Sequence, residues 1–322
     1  MVLPPHCFNR PLHGVGLVEG RSSVCVPGQD ITGQLKIWAL NAKPGLSGEL
    51  IWLKEDLGER YKSTLRLFKT PTGFLLEIDC EGRGFFEYTP EGIGIYWEPG
   101  GTGPAHYFQT LGLSLWLELA GVLCIHANAL ALDDFAIAMI APSQAGKTTL
   151  TAALLQQGLQ LMTDDMLALH RDANGWRVYP GWPQLRMWPD SARAFSASGF
   201  KAQAKVHQRF DKRVVDVAVN DRFCEQSRPV KHLLLLEMRN RETGGAPGEV
   251  EISDISPTEA VIHLLQNSIL GDAYQPLNIE PARLETLANL LNQVPLKKLS
   301  YPGGMEHLPW VCEQIKQRLP ML

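Results

Sequence analysis

The chain has 322 residues, 45% hydrophobic and 20% charged, enough to bury one large core or two smaller ones and too apolar for wholesale disorder. A net charge of −4 and a pI near 6.1 exclude a general electrostatic pull toward nucleic acid or an anionic membrane. The six cysteines are scattered with no C-x-x-C pair, which argues against a thiol redox motif or zinc ribbon and for reduced thiols in a cytoplasmic protein.

The first ten residues lack the apolar run of a secretory signal, so none is expected. From there to about residue 103 the pattern predicts a β-rich N-terminal module. Short apolar or alternating runs at Glu49–Leu53, Thr64–Phe68, Phe74–Ile78 and Gly92–Trp97 are separated by turn-formers such as Pro71-Thr72-Gly73. The greasy stretch Tyr107–Leu119 is broken by Gln109, Thr110, Ser114 and Glu118. It falls short of the roughly 20 apolar residues that span a bilayer, so it reads as a buried helix opened by Pro104 and stopped by Gly121.

Beyond residue 103 strands and helices alternate, which predicts an α/β domain over 104–322. Two apolar runs, Val122–Leu132 and Phe135–Ile140, are joined by a turn at Asp133-Asp134. A helix to about Gln157 and a strand Leu159–Met162 follow, with later strands at Leu233–Met238, Glu249–Ile252 and Leu296–Leu299. Ser256-Pro257-Thr258-Glu259 has the layout of a capping box, and Pro281 and Pro309 open two further helices.

The chemistry is concentrated at Ala141-Pro142-Ser143-Gln144-Ala145-Gly146-Lys147-Thr148, which fits a phosphate-binding P-loop with Ala141 in place of the first glycine. A strand that ends in small residues lets successive backbone N–H groups turn around phosphates, and the following helix adds its positive end. Ser143, Gln144, Ala145, Gly146 and Thr149 would supply the cradle, Lys147 the ammonium at the β/γ oxygens, and Thr148 a hydroxyl for Mg²⁺. Asp164-Asp165 closes the next strand, where two carboxylates would return to the same triphosphate. One would hold Mg²⁺ and the other would take a proton from an attacking hydroxyl, whereas the bland reading is a solvated turn. His126, taken alone, fits a satisfied core histidine as well as a site residue.

Ile125-His126-Ala127-Asn128, Ala141–Thr149 and Met162-Thr163-Asp164-Asp165 together resemble the HPr kinase/phosphorylase family, whose nucleotide site is similar to that of phosphoenolpyruvate carboxykinases. Tyr179–Asp190 resembles the matching region of HPr-kinase-like proteins linked to peptide modification, among them the lasso-peptide kinases. The resemblance implies a phosphoenolpyruvate-carboxykinase-like mixed sheet with flanking helices, and a kinase that uses ATP and Mg²⁺ on a serine of a small protein or peptide. It implies Asp164 as metal ligand, Asp165 as general base and His126 near the phosphates. Gln144 stands where the family usually has glycine, and the N-terminal module does not match the family's regulatory domain. The hexamers of HPr kinases make a homo-oligomer one option.

Between Arg193 and Arg228 lie Lys201, Lys205, Arg209, Lys212, Arg213 and Arg222. This stretch reads either as a solvated loop or as a lid, with Arg186, Lys212 and Arg213 as candidate contacts to phosphate oxygens. Two other functions stay open beside the peptide kinase: a nucleotide-binding switch with little turnover, and a small-molecule kinase. No G-x-S-x-G or H-E-x-x-H pattern supports an acyl-transfer or metal-hydrolase reading.

Overall fold

The structure is a computed structural model that describes residues 3, 8–20, 33–56, 62–80, 82–99, 103–142, 145–207, 210–239 and 249–319. It separates into two compact units. The first comprises residues 1–122, 205–212 and 272–280; the second comprises 123–204, 213–271 and 281–322.

The first unit is built on a seven-stranded sheet. Its strands are β1 (Gly16–Glu19), β2 (Gln34–Ala39), β3 (Glu49–Asp56), β4 (Ser63–Thr70), β5 (Gly73–Asp79), β6 (Arg83–Thr89) and β7 (Gly92–Trp97). The order is β1-β2-β7-β6-β5-β4-β3, an antiparallel meander from β3 to β7 with β2 and β1 added in parallel. The apolar stretch after it forms α1 (Pro104–Tyr107), a π turn over Phe108–Gly112, and α2 (Leu113–Leu119). It packs on the sheet: the rings of Phe86 and Phe108 lie 6.3 Å apart, and the Tyr88 hydroxyl donates to the Gly112 carbonyl at 2.9 Å. A Cβ on Gly112 would sit 3.2 Å from the Phe86 ring, so the close approach at the π turn suits glycine. The unit therefore runs past residue 103, where the sequence placed the boundary, to residue 122.

The second unit begins with β8 (Leu123–Ile125), β9 (Ala127–Leu132), β10 (Phe135–Ile140), α3 (Lys147–Gln156) and β11 (Gln160–Thr163). There follow β12 (Leu167–Asp172), β13 (Gly175–Val178), β14 (Gln184–Met187) and α4 (Pro189–Ala194). A hairpin of β15 (Ala202–His207) and β16 (Phe210–Asp216), of which residues 205–212 belong to the first unit, comes where the sequence suggested a basic loop. The chain ends with β17 (Arg228–Arg239), β18 (Glu251–Asp254), α5 (Pro257–Gln266), α6 (Glu280–Gln293), β19 (Leu296–Pro302) and α7 (Leu308–Arg318).

Its main sheet is mixed, runs β11-β9-β10-β17 and continues through both β19-β18 and β13-β12-β8. β10 is buried throughout and divides its side chains between two cores. Ile137 and Met139 join one core with α3 and α7, while Ala136, Ala138 and Ile140 join another with α5 and α6. Helices on both faces explain why β10 reads as a continuous apolar run rather than an alternating one. The architecture is mixed α/β. Among the described residues no helix is long and apolar enough to cross a membrane.

Candidate functional site

β9 is antiparallel to both β10 and β11, so β10 and β11 run parallel with β9 between them. β17 is parallel to β10, and β19 to β17. The carboxyl ends of four strands thus share one edge of the sheet, the usual place for ligands in open α/β sheets. The loop around Lys147 leaves that edge from β10, and Asp164-Asp165 leaves it from β11.

Ser143 and Gln144 lie outside the described residues. Ala145 donates its N–H to the Pro142 carbonyl at 3.3 Å, and Gly146 takes the left-handed conformation at φ +84. Gly146 is the N-cap of α3 and carries no side chain to cap it, so the helix presents N–H groups at the loop. Lys147 is only 6% exposed and folds back, its Nζ donating to the carbonyls of Ala141 at 2.5 Å and Pro142 at 3.4 Å. Thr148 is half-buried beside it, and the Thr149 hydroxyl lies 3.2 Å from that of Ser191 on α4. The family the sequence resembles would place ATP here. The residues present fit it: a glycine at positive φ, an uncapped helix start and an ammonium bonded to the loop itself.

Beyond β11 the turn is tight. The Thr163 hydroxyl donates to the Met166 carbonyl at 2.7 Å, the Met166 N–H to the Asp164 carbonyl at 2.9 Å, and Asp165 sits at φ +66. Arg186 on β14 meets both acids: its backbone N–H donates to Asp164 Oδ2 at 2.7 Å, and its Nη1 lies 3.5 Å from Asp165 Oδ2. The Arg186 side chain is 5% exposed and that of Asp165 12%, so the ion pair is shielded from solvent. Among the described residues no cluster of three or more His, Cys, Asp or Glu could hold a metal by itself. Mg²⁺ at nucleotide sites is held by one or two carboxylates together with substrate phosphates and water. Asp164 and Thr148 are the residues here that would serve it.

His126 falls in the break between β8 and β9, half-buried, with its Nδ1 3.0 Å from the Asp165 carbonyl. A carbonyl only accepts, so Nδ1 carries a hydrogen, and His126 supports the main chain of the acid through it. Of the three expected basic contacts, Arg186 meets the acidic turn. Arg213 lies opposite Met187 on β16, one position from the Arg186–Val214 pair. Alternation along the strands puts Arg213 on the face of Leu185, Met187 and Val215, and Arg186 on the other. Lys212 belongs to the first unit, and Arg209 lies outside the described residues.

Two site residues escaped the sequence reading. Asn128, fully buried on β9, donates through Nδ2 to the Thr151 hydroxyl on α3 at 2.9 Å and accepts the Asp165 N–H at 3.3 Å. Its spacing of two from His126 was the available signal. Tyr301 on β19 has its hydroxyl 3.5 Å from where a Cβ on Gly146 would be. Burial, with a further contribution from Cys312, pushes the Tyr301 pKa up to about 12, so it stays a neutral phenol beside the loop. No residue type or spacing announces it.

No protein-family model matches the chain, and no curated protein matches it. Among solved structures, the HPr(Ser) kinase/phosphatase from Coxiella burnetii is similar at 16% sequence identity and a TM-score of 0.32, over 62% of this chain and 92% of that one.

Proposed function

We propose that the chain is an ATP-dependent kinase that passes the γ-phosphate to a hydroxyl, that of a serine in a small protein or peptide. One observation carries the reading: the Asn128 amide bonds both to the helix that follows the phosphate loop and to the turn that bears the paired acids. That link supports a reading in which the loop and the acidic turn serve one triphosphate, as phosphoryl transfer requires.

In this reading the α3 N-terminus and Lys147 bind and orient the phosphates, and Thr148 with Asp164 holds Mg²⁺, which supplies charge neutralisation when bound. Asp165 receives the proton of the acceptor hydroxyl on its carboxylate. The buried partner Arg186 pairs with that carboxylate and aims it. Incubation with γ-labelled ATP, Mg²⁺ and serine-containing peptides, followed by mass spectrometry, tests it: a phosphoserine product is expected. Lys147→Ala should lower the rate by about 10²- to 10³-fold. Asp165→Asn, which keeps a residue that tolerates positive φ, should lower it by about 10²- to 10⁴-fold in a folded protein. Wild-type transfer by the Asp164→Asn/Asp165→Asn chain would refute the assignment.

The Arg186–Asp165 ion pair favours a second reading, a nucleotide-binding switch with little turnover, because the Asp165 carboxylate is already engaged by a guanidinium. ATP binding without ATP consumption in the presence of every acceptor tried would select it.

A further inference from the structure

We infer that Asn128 is the positioning residue of the acidic turn, fixing the main chain of Asp165 against the helix that follows the phosphate loop. The role rests on the kinase reading for its consequence in catalysis, and on geometry alone for its consequence in structure.

Asn128 lies on the strand between those that deliver the loop and the acids, and it is 0% exposed. Its partner Thr151 is equally buried and stands one helical turn beyond Lys147. The orientation of the amide is not arbitrary. The Asp165 N–H only donates, so Oδ1 must face it and Nδ2 must face the Thr151 hydroxyl.

Asp165 needs such support because it sits at φ +66, where an L-residue is disfavoured by about 1–2 kcal/mol. Both ends of the residue are held: Asn128 takes its N–H, and His126 donates to its carbonyl. Without the Asn128 contact the residue can relax toward negative φ, and its carboxylate swings with the main chain. Misplacement by about 1 Å through a group remote from the chemistry costs on the order of 10²-fold in rate. In the kinase reading nucleotide affinity depends on the loop and Lys147 rather than on Asp165, so it should be spared.

The alternative is that Asn128 only satisfies a buried hydroxyl. A cycle of Asn128→Leu, Thr151→Val and the double variant separates the two in the full-length chain. The double variant leaves no orphaned polar group between β9 and α3, so it is the one expected to be more stable than Asn128→Leu alone. Amide hydrogen exchange, read by mass spectrometry on peptides covering 163–166, should accelerate by at least about tenfold in Asn128→Leu and in the double variant, a loss of order 1.4 kcal/mol of protection. Affinity for a fluorescent ATP analogue with Mg²⁺ should stay within about twofold, while the transfer rate falls by about 30- to 100-fold. Recovery of wild-type exchange or of wild-type rate in the double variant would overturn the role. If exchange accelerates as stated but the wild-type chain transfers no phosphate to any acceptor, the kinase reading fails and the positioning role stands.

Discussion

Two residues at the site hold left-handed backbone, and they respond to substitution differently. Gly146 at φ +84 meets the Tyr301 hydroxyl and the Met238 sulfur only at 3.5 and 3.7 Å from an added Cβ, so alanine there has room. What it lacks is an unstrained conformation, at a cost of about 1–2 kcal/mol. Gly146→Ala should lower the melting temperature by roughly 2–4 °C for each kcal/mol and weaken nucleotide binding by about tenfold, read by calorimetry and by titration with an ATP analogue. An unchanged affinity with a lowered melting temperature would mean that the strained loop does not meet the nucleotide. Asp165 at φ +66 is an acid that accepts this conformation more readily than most residues. The same type of residue therefore suits both the turn and the chemistry proposed for it.

At the scale of elements, Ser256 shows how closely a local signal translates into structure. Its backbone is extended at φ −61 and ψ 146, Pro257 opens α5, and its Oγ accepts the Glu259 N–H at 3.3 Å. Ser256→Ala should cost about 1 kcal/mol of stability, and Ser256→Asp should restore most of it, measured as a shifted denaturation midpoint at constant slope. Elements of this kind were legible because capping, periodicity and turn chemistry agreed: β10, α3, β11 and the three later helices all lie within a few residues of their expected places. The β15–β16 hairpin was not. Ala202–Lys205 are exposed on both faces, so no buried alternation marks them, and only backbone pairing makes them a strand. The insertion of β9 between β10 and β11 was equally hidden, since sheet order is decided by pairings far apart in sequence. That insertion is what brings Asn128 to the acidic turn. The loop and the acids could be read from the sequence, but the side chains that join them could not.

Across the whole molecule, the chain enters the first unit three times, at 1–122, 205–212 and 272–280, and composition marks neither return. The last return is held by specific contacts within that unit: Tyr274 donates to the buried Glu118 at 2.9 Å, and Lys54 pairs with Asp272 at 2.8 Å. The second unit carries a pH dependence of its own. His232 on β17 is 6% exposed, with the Phe135 ring 5.5 Å away. Burial first, and then the charges of Lys231 and Lys297, bring its pKa down from 6.5 to about 4, against a weaker opposing hydrogen bond with the Leu319 main chain. Because the folded value is the lower one, the unfolded chain takes up the proton first as pH falls. The resulting stability is complete above pH 6.5 and is lost progressively toward pH 4. Over that window the unfolding free energy should fall with decreasing pH by at most about 1.4 kcal/mol per unit more steeply than in His232→Gln, which has no proton to bind there. Denaturant titrations at a series of pH values measure the difference. Parallel curves for the two proteins would mean that the fold leaves His232 as easy to protonate as the unfolded chain does.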